Sequence, residues 1–127
     1  MDAQQLYSEN VLDHASHPRN KGTLDPFTFS HRDLNPSCGD KIEMFVRLGA
    51  DGQVEAMTFD GHGCAVSQAA VSMLTEDAIG KRVEALAAID GERVIEMLGI
   101  PVGPSRMNCA MLGLKTLKGA IELYEKI

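Results

Sequence analysis

The 127-residue chain has no Trp, four Phe and two Tyr. A surface that holds nucleic acid by stacking bases on aromatic rings would need more of them. Positive charge is also in deficit. Twelve Lys and Arg stand against eighteen Asp and Glu, a formal charge of −6. A phosphate backbone is repelled by that balance on average, which weighs against nucleic acid as a partner. No apolar run approaches the ~20 residues of a membrane-spanning helix. The opening Met1-Asp2-Ala3-Gln4-Gln5 lacks the basic-then-apolar order of a secretory leader. The expectation is a cytoplasmic protein with no membrane partner. Cysteine is scarce and odd in number: Cys38, Cys64 and Cys109. Three thiols make a poor disulfide framework, and a reducing compartment keeps them free. They are then buried small side chains, nucleophiles or metal ligands.

What is present suits a folded protein. Hydrophobic residues make up 44% and charged residues 24%, the proportions of an ordinary globular chain. The length predicts one domain over residues 1–127. No repeat, linker or low-complexity tract interrupts it.

Periodicity divides the chain into two kinds of segment. Residues 2–16 read as a helix, with Leu6, Tyr7, Val11, Leu12 and Ala15 on one stripe. The His17-Pro18 pair ends it, because a residue before proline avoids helical dihedrals. A loop over 18–26 leads to a strand over 27–34. Residues 41–48 alternate: Ile42, Met44, Val46 and Leu48 point one way, Glu43 and Arg47 the other. Phe45 breaks the polar face, so that face is expected to be partly covered. Asp51-Gly52 signals a hairpin, and 53–60 form the return strand. The period then becomes helical. A helix is expected over 64–79, with Val66, Ala69, Ala70, Met73 and Leu74 inward and Gly80 as its stop. A short helix over 82–88 follows. Asp90 caps another over 91–98. A loop over 99–105 precedes a last helix over 107–126, with Ala110, Leu114, Leu117, Ile121 and Tyr124 on one stripe. Segregated strands and helices predict an α+β fold: a small antiparallel three-stranded sheet with helices packed on one face.

Each cysteine falls at the end of an element. Cys38 lies in the loop Asn35-Pro36-Ser37-Cys38-Gly39-Asp40, before a strand. Cys64 follows Gly61-His62-Gly63, where strand gives way to helix. Cys109 follows Arg106-Met107-Asn108 at the expected start of the last helix. Two of the three are thus expected at helix N-termini, where free N–H groups and the helix dipole favour a thiolate. The neighbouring glycines let backbone approach a bound object. Asp40, two residues past Cys38, points the same way in an extended segment. Three thiolates and a carboxylate would make four donors for a tetrahedral zinc ion or an iron–sulfur unit. The spacings between the cysteines match no compact zinc ribbon, and Asp40 as a plain turn residue is the competing reading.

The three segments together resemble the iron–sulfur cluster assembly scaffolds of the IscU/NifU/SufU family. The carrying motifs are Asn35-Pro36-Ser37-Cys38-Gly39-Asp40, then Gly61-His62-Gly63-Cys64-Ala65-Val66-Ser67-Gln68-Ala69, then Arg106-Met107-Asn108-Cys109-Ala110-Met111-Leu112. The N-terminal Tyr7, Val11-Leu12-Asp13-His14, Pro18-Arg19-Asn20 and Gly22 fit as well. The resemblance implies a scaffold that takes sulfur from a cysteine desulfurase and iron from an iron donor. It would build a labile 2Fe–2S cluster and pass it to apo iron–sulfur acceptor proteins. It also implies zinc binding at the same site. Cys38, Cys64 and Cys109 would be the thiolate ligands, Asp40 the fourth ligand, and Cys109 the candidate persulfide acceptor. The alternative within the family is a SufU-like zinc-dependent sulfurtransferase that activates a desulfurase. Two departures stand out. Asn108 occupies a position where many IscU members have His. The Leu-Pro-Pro-Val-Lys motif read by a dedicated chaperone is reduced to Val102-Gly103-Pro104-Ser105-Arg106.

Other polar residues carry weaker signals. His62 is near enough to Cys64 to ligate but reads better as a loop residue. His14, His17 and His31 read as surface or capping groups. Lys41 reads as a solvated strand end. Met44, Met57, Met73, Met97, Met107 and Met111 read as packing residues.

Overall fold

A computed structural model describes residues 9–35 and 39–125. The elements in chain order are α1 (Glu9–Ser16), β1 (Phe29–Asn35), β2 (Asp40–Leu48), β3 (Val54–His62), α2 (Ala65–Ala78), α3 (Val83–Ala87), α4 (Gly91–Leu98) and α5 (Pro104–Glu125). The three strands form one antiparallel sheet in the order β1-β2-β3. With the helices this is the expected α+β arrangement. The first half of the helix expected over 2–16 lies outside the described residues. No helix among the described residues is long and apolar enough to cross a membrane.

The β2–β3 hairpin turns where Asp51-Gly52 predicted it. Gly52 has φ +82°, and its N–H reaches the Gly49 carbonyl at 3.0 Å. The alternation in β2 sends Ile42, Met44 and Val46 inward to full burial, where Met57 and Phe59 of β3 join them. Phe45 is covered on the opposite face by Phe27, ring centroids 5.6 Å apart. That explains the apolar residue on an otherwise polar face.

Helix α2 is the central element. Eleven of its fourteen residues are buried, because α1, α4, α5 and the sheet all pack against it. Small residues make that possible. A Cβ on Gly113 of α5 would sit 2.9 Å from the Val71 Cβ of α2, so the two helices approach through the missing side chain. The stripe Ala110, Leu114, Leu117 and Ile121 is buried as expected. Tyr124 completes it by stacking on Phe29, centroids 4.8 Å apart.

Three expectations fail here. His14 is not a surface group; it is 6% exposed. Its Nδ1 lies 2.8 Å from the Ser72 hydroxyl, and its Nε2 faces Glu76 at 3.6 Å. The Arg19 N–H donates to the same Ser72 oxygen at 2.8 Å, leaving the hydroxyl hydrogen for the imidazole. These polar bonds inside α2 dock α1 and its exit loop. The second failure is the start of the last helix. It begins at Pro104, three residues before the expected 107. Proline lacks an N–H that the first turn would leave unbonded, and its fixed φ suits a first helical residue. The Gly103-Pro104 pair starts the helix; it does not prolong the loop. Met107 also departs from its reading as a packing residue, at 37% exposed.

Two outcomes follow from this packing. Gly113→Ala should cost about 1–3 kcal/mol by overpacking the α2–α5 contact, read as a lowered urea midpoint. His14 has its pKa pushed below the ordinary 6.5, first by burial and then by the Arg19 charge, against the pull of Glu76 and Asp13. The unfolded chain therefore takes up a proton before the folded one does. Stability should be intact above pH 6.5 and fall as the pH drops below it, by about 1.4 kcal/mol per unit of displacement. Thermal melts across pH 5–8 should show that slope flattened in His14→Gln.

Candidate metal centre

The site forms at one end of the sheet, where β2 begins, β3 ends and α2 starts. Gly61 permits the approach. It has φ +125°, and a Cβ there would lie 2.1 Å from the Lys41 carbonyl oxygen, so only glycine lets β3 close on β2 at this point. The chain then passes over Asp40 and turns into α2 at Cys64. Cys64 is the N-cap: it is extended, and its sulfur accepts the Ser67 N–H at 3.5 Å. Its own N–H donates to Asp40 Oδ1 at 3.2 Å. A carboxylate on a strand thus holds the first backbone group of a helix, where unbonded N–H groups and the dipole favour negative charge.

Cys109 arrives from α5. The early start at Pro104 puts it in the second turn, so the expectation of a thiol at the helix N-terminus holds for Cys64 and not for Cys109. From there it meets the other two groups: ligand atoms of Asp40, Cys64 and Cys109 all lie within 4.8 Å of one another. Among the described residues this is the one cluster of three such ligand groups. Asp40 is 2% exposed and Cys109 5%, while Cys64 is half-buried. Cys38 lies outside the described residues. Of the described residues that flank it, Asn35 pairs with Asp40, and the Gly39 N–H donates to the Asn35 carbonyl at 2.9 Å.

The donor set suits a metal. Thiolates are soft donors for zinc and iron. Asp40 Oδ2 is buried with no hydrogen-bond partner among the described residues. A buried carboxylate oxygen left bare costs free energy that a bound cation would recover. The competing reading of Asp40, a residue that only closes a turn, leaves that oxygen unexplained.

The remaining candidates stand apart. His62 is exposed at the end of β3, paired in register with Lys41; it is a strand residue, not a loop residue, and is outside the cluster. Lys41 is half-buried beside Asp40. Asn108 is exposed. His17 is at the surface. His31 is half-buried on β1, against α5 where a Gly119 Cβ would stand 2.7 Å away.

Three residues here were not singled out from the sequence. Lys21 donates to the Gly61 carbonyl at 3.1 Å and to Gln68 Oε1 at 3.0 Å, tying the end of β3 to α2. Gln68 and Ser67 are both buried, and Gln68 Nε2 and Ser67 Oγ lack partners among the described residues. The available signal was two adjacent polar residues in the first turn of a helix whose next three residues are apolar.

Comparison with known proteins agrees with this geometry. The NifU-like N terminal domain matches residues 6–127. The iron–sulfur cluster assembly scaffold protein IscU of Thermotoga maritima is 34% identical, over 94% of each chain. The zinc-dependent sulfurtransferase SufU of Bacillus subtilis is 32% identical, over 94% of this chain and 92% of that one. The crystal structure of a NifU-like N-terminal protein from Brucella abortus shares the fold, with a TM-score of 0.80 over 96% of each chain at 19% identity. The chain belongs to the NifU-like N-terminal domain family, the group that includes IscU and SufU.

Proposed function

We propose that the protein is a scaffold on which iron–sulfur clusters are assembled and from which they are handed on. The observation that carries this reading is the convergence of Asp40, Cys64 and Cys109 within 4.8 Å, with one carboxylate oxygen buried and unbonded among the described residues. The cargo is a 2Fe–2S cluster held by Cys38, Cys64, Cys109 and Asp40. Cys38 is two residues from Asp40 along the chain, a span of at most ~7 Å, so it is within reach as the remaining donor.

The mix of donors favours transfer over storage. Electron-transfer ferredoxins bind their clusters through four thiolates. Replacing one thiolate by a harder carboxylate weakens the hold on iron, and the Cys64 N–H competes for the same carboxyl group. Sulfur enters as a persulfide. A thiolate, with Cys109 the candidate, attacks the outer sulfur of a persulfide on a cysteine desulfurase. The new S–S bond forms as the old one breaks, and the desulfurase cysteine leaves as thiolate. Iron comes from a separate donor, an external thiol or other two-electron reductant frees the persulfide's outer sulfur as sulfide, and apo iron–sulfur proteins accept the product. This chemistry belongs in a reducing cytoplasm.

The second reading is that of a zinc-dependent sulfurtransferase. It is favoured by the similarity to SufU and by Asn108, a poor metal ligand in place of a His. Zinc would keep the thiols reduced and ordered until a partner displaces one of them.

Anaerobic mixing with ferrous iron, cysteine and a desulfurase should give a visible chromophore with acid-labile sulfide. Cys64→Ala and Cys109→Ala should each abolish it. A chain that stays colourless but speeds desulfurase turnover when zinc-loaded would select the second reading. Asp40→Ala should yield a cluster that survives several-fold longer on exposure to chelator; faster loss than in the unaltered protein would refute the release argument.

A further inference from the structure

We propose that Lys21 is a positioning residue for the metal centre: its ammonium clamps the turn that carries Cys64, and so sets how firmly the site grips a metal. The inference rests on the reading of Asp40, Cys64 and Cys109 as ligands. Backbone pairing brings the lysine there. The Gly22 N–H donates to the Phe59 carbonyl at 2.7 Å, and the Phe59 N–H donates to the Asn20 carbonyl at 3.0 Å. Lys21 thus bridges in parallel to Phe59 of β3. Asn20 Nδ2 donates to Thr75 Oγ1 of α2 at 3.1 Å, which holds the same segment to the helix. The Lys21 ammonium passes 5.5 Å from the centroid of the buried Phe59 ring and reaches further along β3, to Gly61.

There it makes two bonds, to oxygens on opposite sides of Cys64 in the chain. One goes to the Gly61 carbonyl at 3.1 Å, the other to Gln68 Oε1 at 3.0 Å. Gly61 lies before the thiol and Gln68 after it. The Gln68 N–H also donates to the Cys64 carbonyl at 3.0 Å, so the residue that the lysine holds is already bonded to the cap of α2. One ammonium therefore closes the mouth of a loop with Cys64 inside it. Fixing both ends of a loop removes conformations from everything between them. Each acceptor is an uncharged oxygen, so these bonds join two segments rather than neutralise a carboxylate.

The turn between them has little slack. A Cβ on Gly63 would be 2.8 Å from Asp40 Oδ1, so the backbone already rests on the carboxylate. The Cys64 N–H reaches that oxygen at 3.2 Å, the long end of the ordinary range for such a bond. A small outward movement of the turn would break it. The same movement would carry the Cys64 sulfur away from Asp40 and Cys109, whose ligand atoms now lie within 4.8 Å of it. Partners that orient a metal ligand without touching the metal commonly govern affinity by tenfold or more.

Lys21→Met keeps an apolar stem beside Phe59 and removes both bonds. In the metal-free variant, hydrogen exchange at the Cys64 and Ser67 amides should quicken about tenfold, while the Met44 and Val71 amides keep their rates. Affinity for Co(II), and for zinc in competition with it, should fall about tenfold. Gln68→Met should lose affinity to the same extent. The double variant Lys21→Met/Gln68→Met should lose no more than either single one, because a clamp with one arm cut is already open.

Equal Co(II) affinity in Lys21→Met and the unaltered protein would overturn the proposal while leaving the scaffold reading in place. So would exchange quickened alike at Met44 and Val71, the mark of a general loss of stability. Losses that add in the double variant would overturn it as well, because Lys21 would then act by a route other than Gln68, its charge included. A Lys21→Met chain that fails to fold would do the same, since the fold itself would then need the lysine. An unaltered protein that binds neither Co(II) nor zinc would remove the functional reading and this inference with it.

Discussion

The hydrogen bond from the Cys64 N–H to Asp40 Oδ1 is the constraint on which the rest of the site depends. It joins the first residue of a strand to the cap of the helix packed across the sheet. Each partner answers a requirement of the other. The helix start has backbone donors without acceptors, and the buried carboxylate has charge without water. The bond satisfies one donor and one oxygen. Because a carboxylate has two oxygens, the second remains, without a partner among the described residues.

The surrounding fold maintains that geometry. Gly61 lets the end of β3 lie against the start of β2. Lys21 ties the Gly61 carbonyl to Gln68 on α2. The close approach of α2 and α5 at Gly113 sets the separation of the helices that carry Cys64 and Cys109. On the far side of α2, His14, Ser72 and Arg19 fasten α1. Arg93 holds Asp77 at 2.9 Å and fastens α4; this pairing keeps the Asp77 carboxyl below its usual range. Alpha-helical and strand elements thus converge on α2 from several directions, and the site occupies its N-terminal end. One half-buried sulfur, that of Cys64, lies at its edge.

The members of the cluster differ in what holds them. Cys64 is fixed by its role in the helix cap. Asp40 is fixed by strand pairing with Asn35 and by the bond to Cys64. Cys109 is carried inside a helix whose next turns are buried.

Local pattern in the sequence was enough for the sheet, the hairpin turn, the Asp90-capped helix and the buried stripe of α5, since each depends on side-chain period or turn chemistry within a few residues. The cysteines and Asp40 were legible as chemistry because residue type alone determines donor character. The sequence was less informative where two local signals compete: Gly103-Pro104 can end a loop or begin a helix, and the helix begins at Pro104. It misled on His14, read as a surface or capping group but buried against a serine 58 residues away. Convergence of Asp40, Cys64 and Cys109 is likewise a tertiary fact. Distances between residues far apart in the chain are set by how helices and sheet pack, and no local period encodes them.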